Sequence, residues 1–364
     1  MEDTSESSSA SSDGTESLYR STRSASEERI GPGTRAGRIG RSLAAYASGA
    51  PFVAAVAAVE TLIAIVLLGV PLSPAPVVVA LVAFAVYTID HVADADADTR
   101  STPTRAILAY RYGDQLMVAA ALAYGIAVAL SVLGGPFALV ITLLPGVFWV
   151  LYASDWLPTL GGVTAEAAGE PPLGGRKDGF RYRLPRVKDV LVLNSLLVAF
   201  GWAVAVTVIP VAFASGNGGS IATVGTGGTA GVASGAVAGG APLVAVVFGY
   251  FLLRSFVDTE LPNVRDVEAD ATVGVATLPV VYGVVSTRRA LYAVDVATAA
   301  LVTAAAVTGL VAVPVAGALL VGVGVSIGVT ALAGRIDDPA VLGVAPDCSY
   351  FLVGALLVGV RMAG

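Results

Sequence analysis

The chain has 364 residues, of which 55% are hydrophobic and 13% charged, with a mean hydropathy of +0.79 and a formal net charge of −6. Soluble domains carry about 25% charged residues, so this composition excludes a soluble enzyme, and the hydropathy excludes a disordered chain. The single cysteine, Cys348, excludes a disulfide scaffold, and a pI of about 4.9 excludes a basic nucleic-acid binder. The remaining class is an all-α polytopic membrane protein.

Residues 1–43 read as a disordered, Ser-rich acidic tail; their opening, MEDTSESSSASSDGTES, lacks the basic start and apolar run of a signal peptide. A spanning helix needs about 20 mostly apolar residues. By that measure the rest, 44–363, predicts nine spans around a central cavity: 44–70, 75–92, 114–133, 137–152, 189–213, 241–257, 288–310, 314–333 and 348–363. A polar loop occupies 156–180, and 214–240 is a Gly/Ser/Ala-rich loop expected outside the cytoplasmic face. Alternating segments of the kind a transmembrane barrel requires are absent.

Orientation follows from the cationic residues. With nine spans and an inner N-terminus, 20 of the 21 Lys and Arg fall on inner segments, Arg361 being the exception. This predicts an integral protein of the cytoplasmic membrane with its N-terminus and motif loops in the cytosol.

Two inner segments carry aspartates at helical spacing. After the second span, YTIDHVADADADTR places Asp90, Asp94 and Asp98 four apart. After the sixth, RSFVDTELPNVRDVEADATVGVATLPVVYG places Asp266 and Asp270 four apart, with Asn263 one turn before. Residues at i and i+4 share a helix face. Carboxylates stacked there repel one another unless a cation intervenes, and Mg²⁺ binds through one or two carboxylates plus phosphate oxygens and water. Two such rows at one membrane surface suit a metal-bound diphosphate above an apolar cavity. Arg105, Arg186, Lys188, Arg254 and Arg265 stand on the same side and are candidates for the diphosphate oxygens the metals leave free.

These residues resemble the motifs of the UbiA superfamily of intramembrane prenyltransferases. The first family motif, NxxxDxxxD followed by Pro and Arg, is similar to Asp90-x3-Asp94-x3-Asp98 with Pro103 and Arg105. The second, DxxxD followed by Gly and Thr-Leu-Pro, is similar to Asp266, Asp270, Gly274, Thr277, Leu278, Pro279 and Gly283. The segment 183–203 is similar to the family's entry into its fifth span. Asp90 stands where the family has Asn, His91 follows it, and Ala269 replaces a usual glycine.

The resemblance implies a prenyltransferase. Mg²⁺ held by Asp90, Asp94, Asp98, Asp266 and Asp270 would bind a polyprenyl diphosphate donor such as geranylgeranyl diphosphate. Arg105, Lys188, Arg254, Arg265 and Asn263 would contact the diphosphate. The isoprenyl group would pass to a lipophilic acceptor — a quinone precursor, a lipid or a carotenoid — within the membrane lipids.

Each feature also has a plain structural reading. Acidic rows occur on solvated surfaces of acidic proteins, and loop cations set topology. Glu60 and Asp295 fall inside spans, where acids are functional candidates by default, yet either also fits a hydrogen-bonded interhelical contact. Asn194 reads as interhelical glue, His91 as a helix-end polar residue, and Cys348 as a packing residue. Trp149, Trp202 and Tyr250 read as bundle or interface aromatics. A cation or metabolite transporter and a non-catalytic relative are the alternative functions.

Overall fold

The computed structural model describes residues 49–95, 103–153, 193–215, 239–273, 276–336 and 339–363. The N-terminal tail, most of the Gly-rich loop, the 156–180 loop, Asp98, Arg186, Lys188 and Gly274 lie outside these residues. The helices in chain order are α1 (Ala50–Leu68), α2 (Ala75–Ala93), α3 (Pro103–Ser131), α4 (Gly135–Ala153), α5 (Leu193–Ser215), α6 (Gly240–Arg265), α7 (Val267–Val273), α8 (Leu278–Tyr282), α9 (Val284–Val307), α10 (Val313–Leu332) and α11 (Pro339–Ala363). Among the described residues, eight segments are long and apolar enough to cross a membrane, the third running Ala106–Gly146. That segment contains α3 and α4, parted by a 3-10 turn at Val132–Gly134 and by Gly135 at φ 83°. Among the described residues nine long helices thus stand where nine spans were predicted, in eight apolar segments, and the chain is an integral membrane protein.

The long helices are apolar on all sides rather than along one stripe, as lipid on one side and protein on the other require. In α1, Leu62 is 41% exposed while Ile63 and Leu68 are buried against the bundle. Some hydroxyls inside the spans return to their own helix, as in Thr61 Oγ1→Ala57 O (2.7 Å) and Thr142 Oγ1→Ala138 O (2.8 Å), which satisfies them without water. α1 stops at Gly69, whose φ of 65° is the left-handed conformation a glycine adopts without steric cost.

Packing follows chain order around a ring. Each long helix touches its successor, from α1·α2 through α5·α6, α6·α9 and α9·α10 to α10·α11, and α11 returns to α1. Contacts of α1 and α2 with α5, and of α6 with α1 and α11, cross the interior. The main core joins Val56, Ile63, Val79, Val206, Tyr250, Phe251, Leu319 and Tyr350. A smaller cluster, Val257, Leu261, Val264, Leu291, Val329 and Leu342, ties α6, α9, α10 and α11 together.

Three helices run beyond their apolar stretches. α3 begins at Pro103 rather than 114, α6 continues to Arg265 rather than 257, and α11 begins at Pro339 rather than 348. Hydropathy reports the hydrocarbon-immersed length, whereas the backbone hydrogen-bond ladder continues past it. α3 carries a break at Tyr112 (φ −129°, ψ 17°) where the extension joins the span.

Candidate functional site

Both aspartate rows sit where a helix ends. Asp94 caps the C-terminus of α2, its N–H reaching Asp90 O at 2.9 Å, so the two residues stand one turn apart. Asp266 caps the C-terminus of α6 (φ −92°, ψ 9°), and Asp270 N–H reaches Asp266 O at 2.9 Å. A helix C-terminus carries partial negative charge, and Asp90 and Asp94 stand at that end of α2. Asp90 and Asp94 are exposed, and Asp266 and Asp270 half-buried.

The second row is held by its own motif. Thr277 Oγ1 donates to Asp270 Oδ2 at 3.3 Å. Gly283, the last motif glycine, has φ 79° and ψ 154°, which lets one residue end α8 and begin α9. Burial, reinforced by the charge of Asp266, pushes the Asp270 carboxyl above its ordinary value, while Thr277 and Arg265 act in the opposite direction. Arg265 forks onto Asp266, with Nε donating to Oδ1 at 2.7 Å and Nη2 to Oδ2. Asn263 Nδ2 donates to Glu260 Oε2 at 3.1 Å.

The two rows close the second and the sixth of the long helices, which run in the same direction if each long helix crosses once. Next to the first row, a pocket of about 420 Å³ opens between α2 and α3, lined by Val92, Ala95, Tyr110, Arg111, Asp114 and Gln115. The Arg111 guanidinium lies 5.3 Å from the centre of the Tyr112 ring.

The donor set is all oxygen, which suits a hard cation. Among the described residues no three carboxyl, imidazole or thiol groups are assembled to hold a metal ion on their own. Each row offers a pair of carboxylates, the number that Mg²⁺ takes when phosphate and water complete its shell. The residues therefore fit a hard cation whose shell is completed by other oxygen ligands. Arg105 stands in the first turn of α3, beside the first row in sequence.

Arg254 is placed elsewhere. It is fully buried about three turns, or roughly 18 Å, from Asp266 along α6. Its Nη2 lies 3.6 Å from Asp258 Oδ1 and donates to Ser349 Oγ at 2.8 Å, and its Nη1 lies 3.9 Å from Asp295 Oδ1. The guanidinium stacks 5.2 Å from the centre of the Tyr350 ring, and Tyr350 OH donates to Asp258 Oδ2 at 2.7 Å. Thr330 Oγ1 donates to Asp295 Oδ2 at 3.3 Å.

Glu60 and Asp295, both buried, thus have protein partners, since Trp202 Nε1 donates to Glu60 Oε2. Trp202 and His91 each meet the Tyr87 ring edge-on with 6.1 Å between centroids. Sequence reasoning missed Asp347, because it set the start of the last span one residue too late to include it. It also treated Arg254 as a surface cation. The i, i+4 pair Arg254–Asp258 inside an apolar run was the available signal.

Among solved structures, the chain is similar to the apo form of a UbiA homolog from Aeropyrum pernix K1, with a TM-score of 0.57 at 16% identity over 85% of this chain and 98% of that one. It also aligns with a digeranylgeranylglyceryl phosphate synthase at a TM-score of 0.46 and 13% identity, over 83% of this chain and 90% of that one. No protein-family model and no curated protein matches the chain. The ring of long helices is a UbiA-like fold.

Proposed function

We propose that this protein is an integral-membrane prenyltransferase that moves an isoprenyl group from a polyprenyl diphosphate to a lipophilic acceptor. The observation that carries the proposal is the pair of aspartate rows, Asp90/Asp94 and Asp266/Asp270, each at the C-terminal end of a long helix. The UbiA-like fold supports it. The motif end faces the cytosol, where a diphosphate donor is available.

Asp90, Asp94, Asp98, Asp266 and Asp270 would hold Mg²⁺. When bound, the metal supplies the positive charge that offsets the growing negative charge of a departing diphosphate. Arg265 is chelated by Asp266, so occupation of Asp266 by a cation frees the guanidinium to turn to a diphosphate oxygen. Arg105, Lys188 and Asn263 are the further diphosphate contacts. The allylic C–O bond breaks with its electron pair going to the diphosphate. A nucleophilic carbon or oxygen of the acceptor captures the allylic cation, and a proton leaves. The ring buries the isoprenoid chain, worth about 0.8 kcal/mol per CH₂ removed from water, and keeps water from the cation.

The test is transfer of labelled geranylgeranyl diphosphate to a panel of acceptors in membranes holding the protein and Mg²⁺. Product that requires Mg²⁺ and is lost in Asp94→Asn and Asp266→Asn is expected; undiminished product in both variants overturns the proposal. The buried carboxyls around Arg254 favour one second reading, a cation transporter, because transporters place charged sites deep in the bilayer. Cation uptake by proteoliposomes without a prenyl donor would select it.

A further inference from the structure

Prenyl transfer by the two aspartate rows gives Glu260 no part. This acid stands on α6 one turn before Asn263 and is only 1% exposed, in a stretch whose apolar residues Val257, Leu261 and Val264 belong to the smaller core cluster. An acid buried that deeply needs a hydrogen-bonding partner, and Asn263 Nδ2 donates to its Oε2 at 3.1 Å. Pro262 stands between the two residues. Proline has no N–H to give to the carbonyl four residues back, so the side-chain bond spans a step of α6 where the backbone ladder has a gap. The ladder resumes beyond it, with Asp266 N–H reaching Pro262 O at 3.0 Å.

The bond fixes which way round the Asn263 amide stands. An ionised carboxylate only accepts, so the amide turns its nitrogen to Glu260. Nitrogen and oxygen occupy opposite branches of one planar group, and Oδ1 is therefore turned away from Glu260. Asn263, Asp266 and Asp270 follow one another at i, i+3 and i+7, the spacing that keeps residues on one helix face. Asp270 N–H→Asp266 O at 2.9 Å carries the helical turn past the end of α6. An amide oxygen on that face is a hard, neutral donor beside two carboxylates, a set that suits Mg²⁺ or Mn²⁺. Donation to a carboxylate also raises the basicity of the amide oxygen, as it does for metal-bound imidazoles. The second Nδ2 proton stays available to a diphosphate oxygen.

We propose that Glu260 is a positioning residue: from inside the bundle it holds the Asn263 amide so that Oδ1 joins Asp266 and Asp270 as the third oxygen donor of the second row. The inference rests on the metal-dependent prenyltransferase reading and deepens it. Glu260 then matters to the cation through Asn263, and its effect disappears once the Asn263 amide is gone.

The test is a Mn²⁺ titration of the full chain in nanodiscs, without prenyl donor, read by electron paramagnetic resonance. Glu260→Gln keeps the shape but offers an amide that pairs with Asn263 either way round. About ten-fold weaker Mn²⁺ binding is expected, the low end for losing the partner that orients a ligand. Glu260→Asp keeps the charge but falls one CH₂ short of Asn263, and it should weaken binding as much. Asn263→Ala should weaken binding at least as far, and adding Glu260→Gln to it should change nothing further, the signature of two residues acting as one unit.

Unchanged Mn²⁺ affinity in Glu260→Gln overturns the inference. So does an equal loss with and without the Asn263 amide, which would make Glu260 a remote charge, or a parent that binds no Mn²⁺. If Glu260→Gln does not fold, Glu260→Asp alone and combined with Asn263→Ala gives the same comparison. Prenyl transfer is assayed on separate samples: coupled Mn²⁺ binding in a parent that transfers no prenyl group overturns the prenyltransferase reading and leaves the role of Glu260 standing.

Discussion

The ends of α2 and α6 and the middle of the bundle treat carboxylates in opposite ways. At the ends, Asp90 and Asp94 stack at a helix C-terminus, and Asp270 stands next to Asp266 with its carboxyl pushed up. In the middle, Asp258 has Arg254 and Tyr350, Asp295 has Arg254 and Thr330, and Glu60 has Trp202. At the end of α6, Arg265 and Thr277 compensate the second row from the same stretch of chain, whereas in the interior the counter-groups come from other helices as well. Acid content alone therefore does not mark a metal site in this chain.

The comparison breaks most sharply at Arg254. Arg254→Met leaves Asp258 and Asp295 buried without their cation, a change that costs about 3–5 kcal/mol in comparable settings. Unfolding in mixed SDS micelles should show a loss of that size, and a variant as stable as the parent would mean that the interior carboxyls hold protons instead. At the helix ends the expected effect is on turnover. Asp94→Asn and Asp266→Asn should each lower Mg²⁺-dependent prenyl transfer by about 10²–10³-fold, the range for removing one electrostatic stabiliser of a transition state. Unfolding midpoints of these two should stay within about 1 kcal/mol of the parent, since exposed or half-buried carboxylates contribute little stability.

Two milder changes sharpen the picture. Arg265→Gln removes the fork on Asp266. It should tighten Mn²⁺ binding, read by electron paramagnetic resonance, about three-fold, and lower transfer about ten-fold because a diphosphate contact goes with it. Thr277→Val removes the hydrogen bond to Asp270. A loss of about 1 kcal/mol corresponds to roughly five-fold in metal affinity; unchanged affinity would show that burial alone positions Asp270.

Hydropathy read the ring well because lipid imposes the same demand on every span. It read helix ends poorly at α3, α6 and α11, where polar residues continue the helix beyond the apolar run. Those ends carry candidate residues: Arg105 lies in the first turn of α3 and Asp266 caps α6. The aspartate spacing was readable because i, i+4 on a helix is a local rule, and the structure preserves it at Asp90/Asp94 and Asp266/Asp270. The partners of Glu60 and Asp295 were not readable. They come from α5, α6 and α10, and no local rule links residues that far apart in sequence.

Contact between α11 and α1 closes the circle of helices, and this has a consequence for biogenesis. Until α11 enters the membrane, Asp258 lacks the Tyr350 hydroxyl and Arg254 lacks Ser349. A nascent chain halted after α10 would hold its charge pairs short of two hydrogen bonds, in a bundle with an open seam. The polar network is then complete only when the final helix has docked.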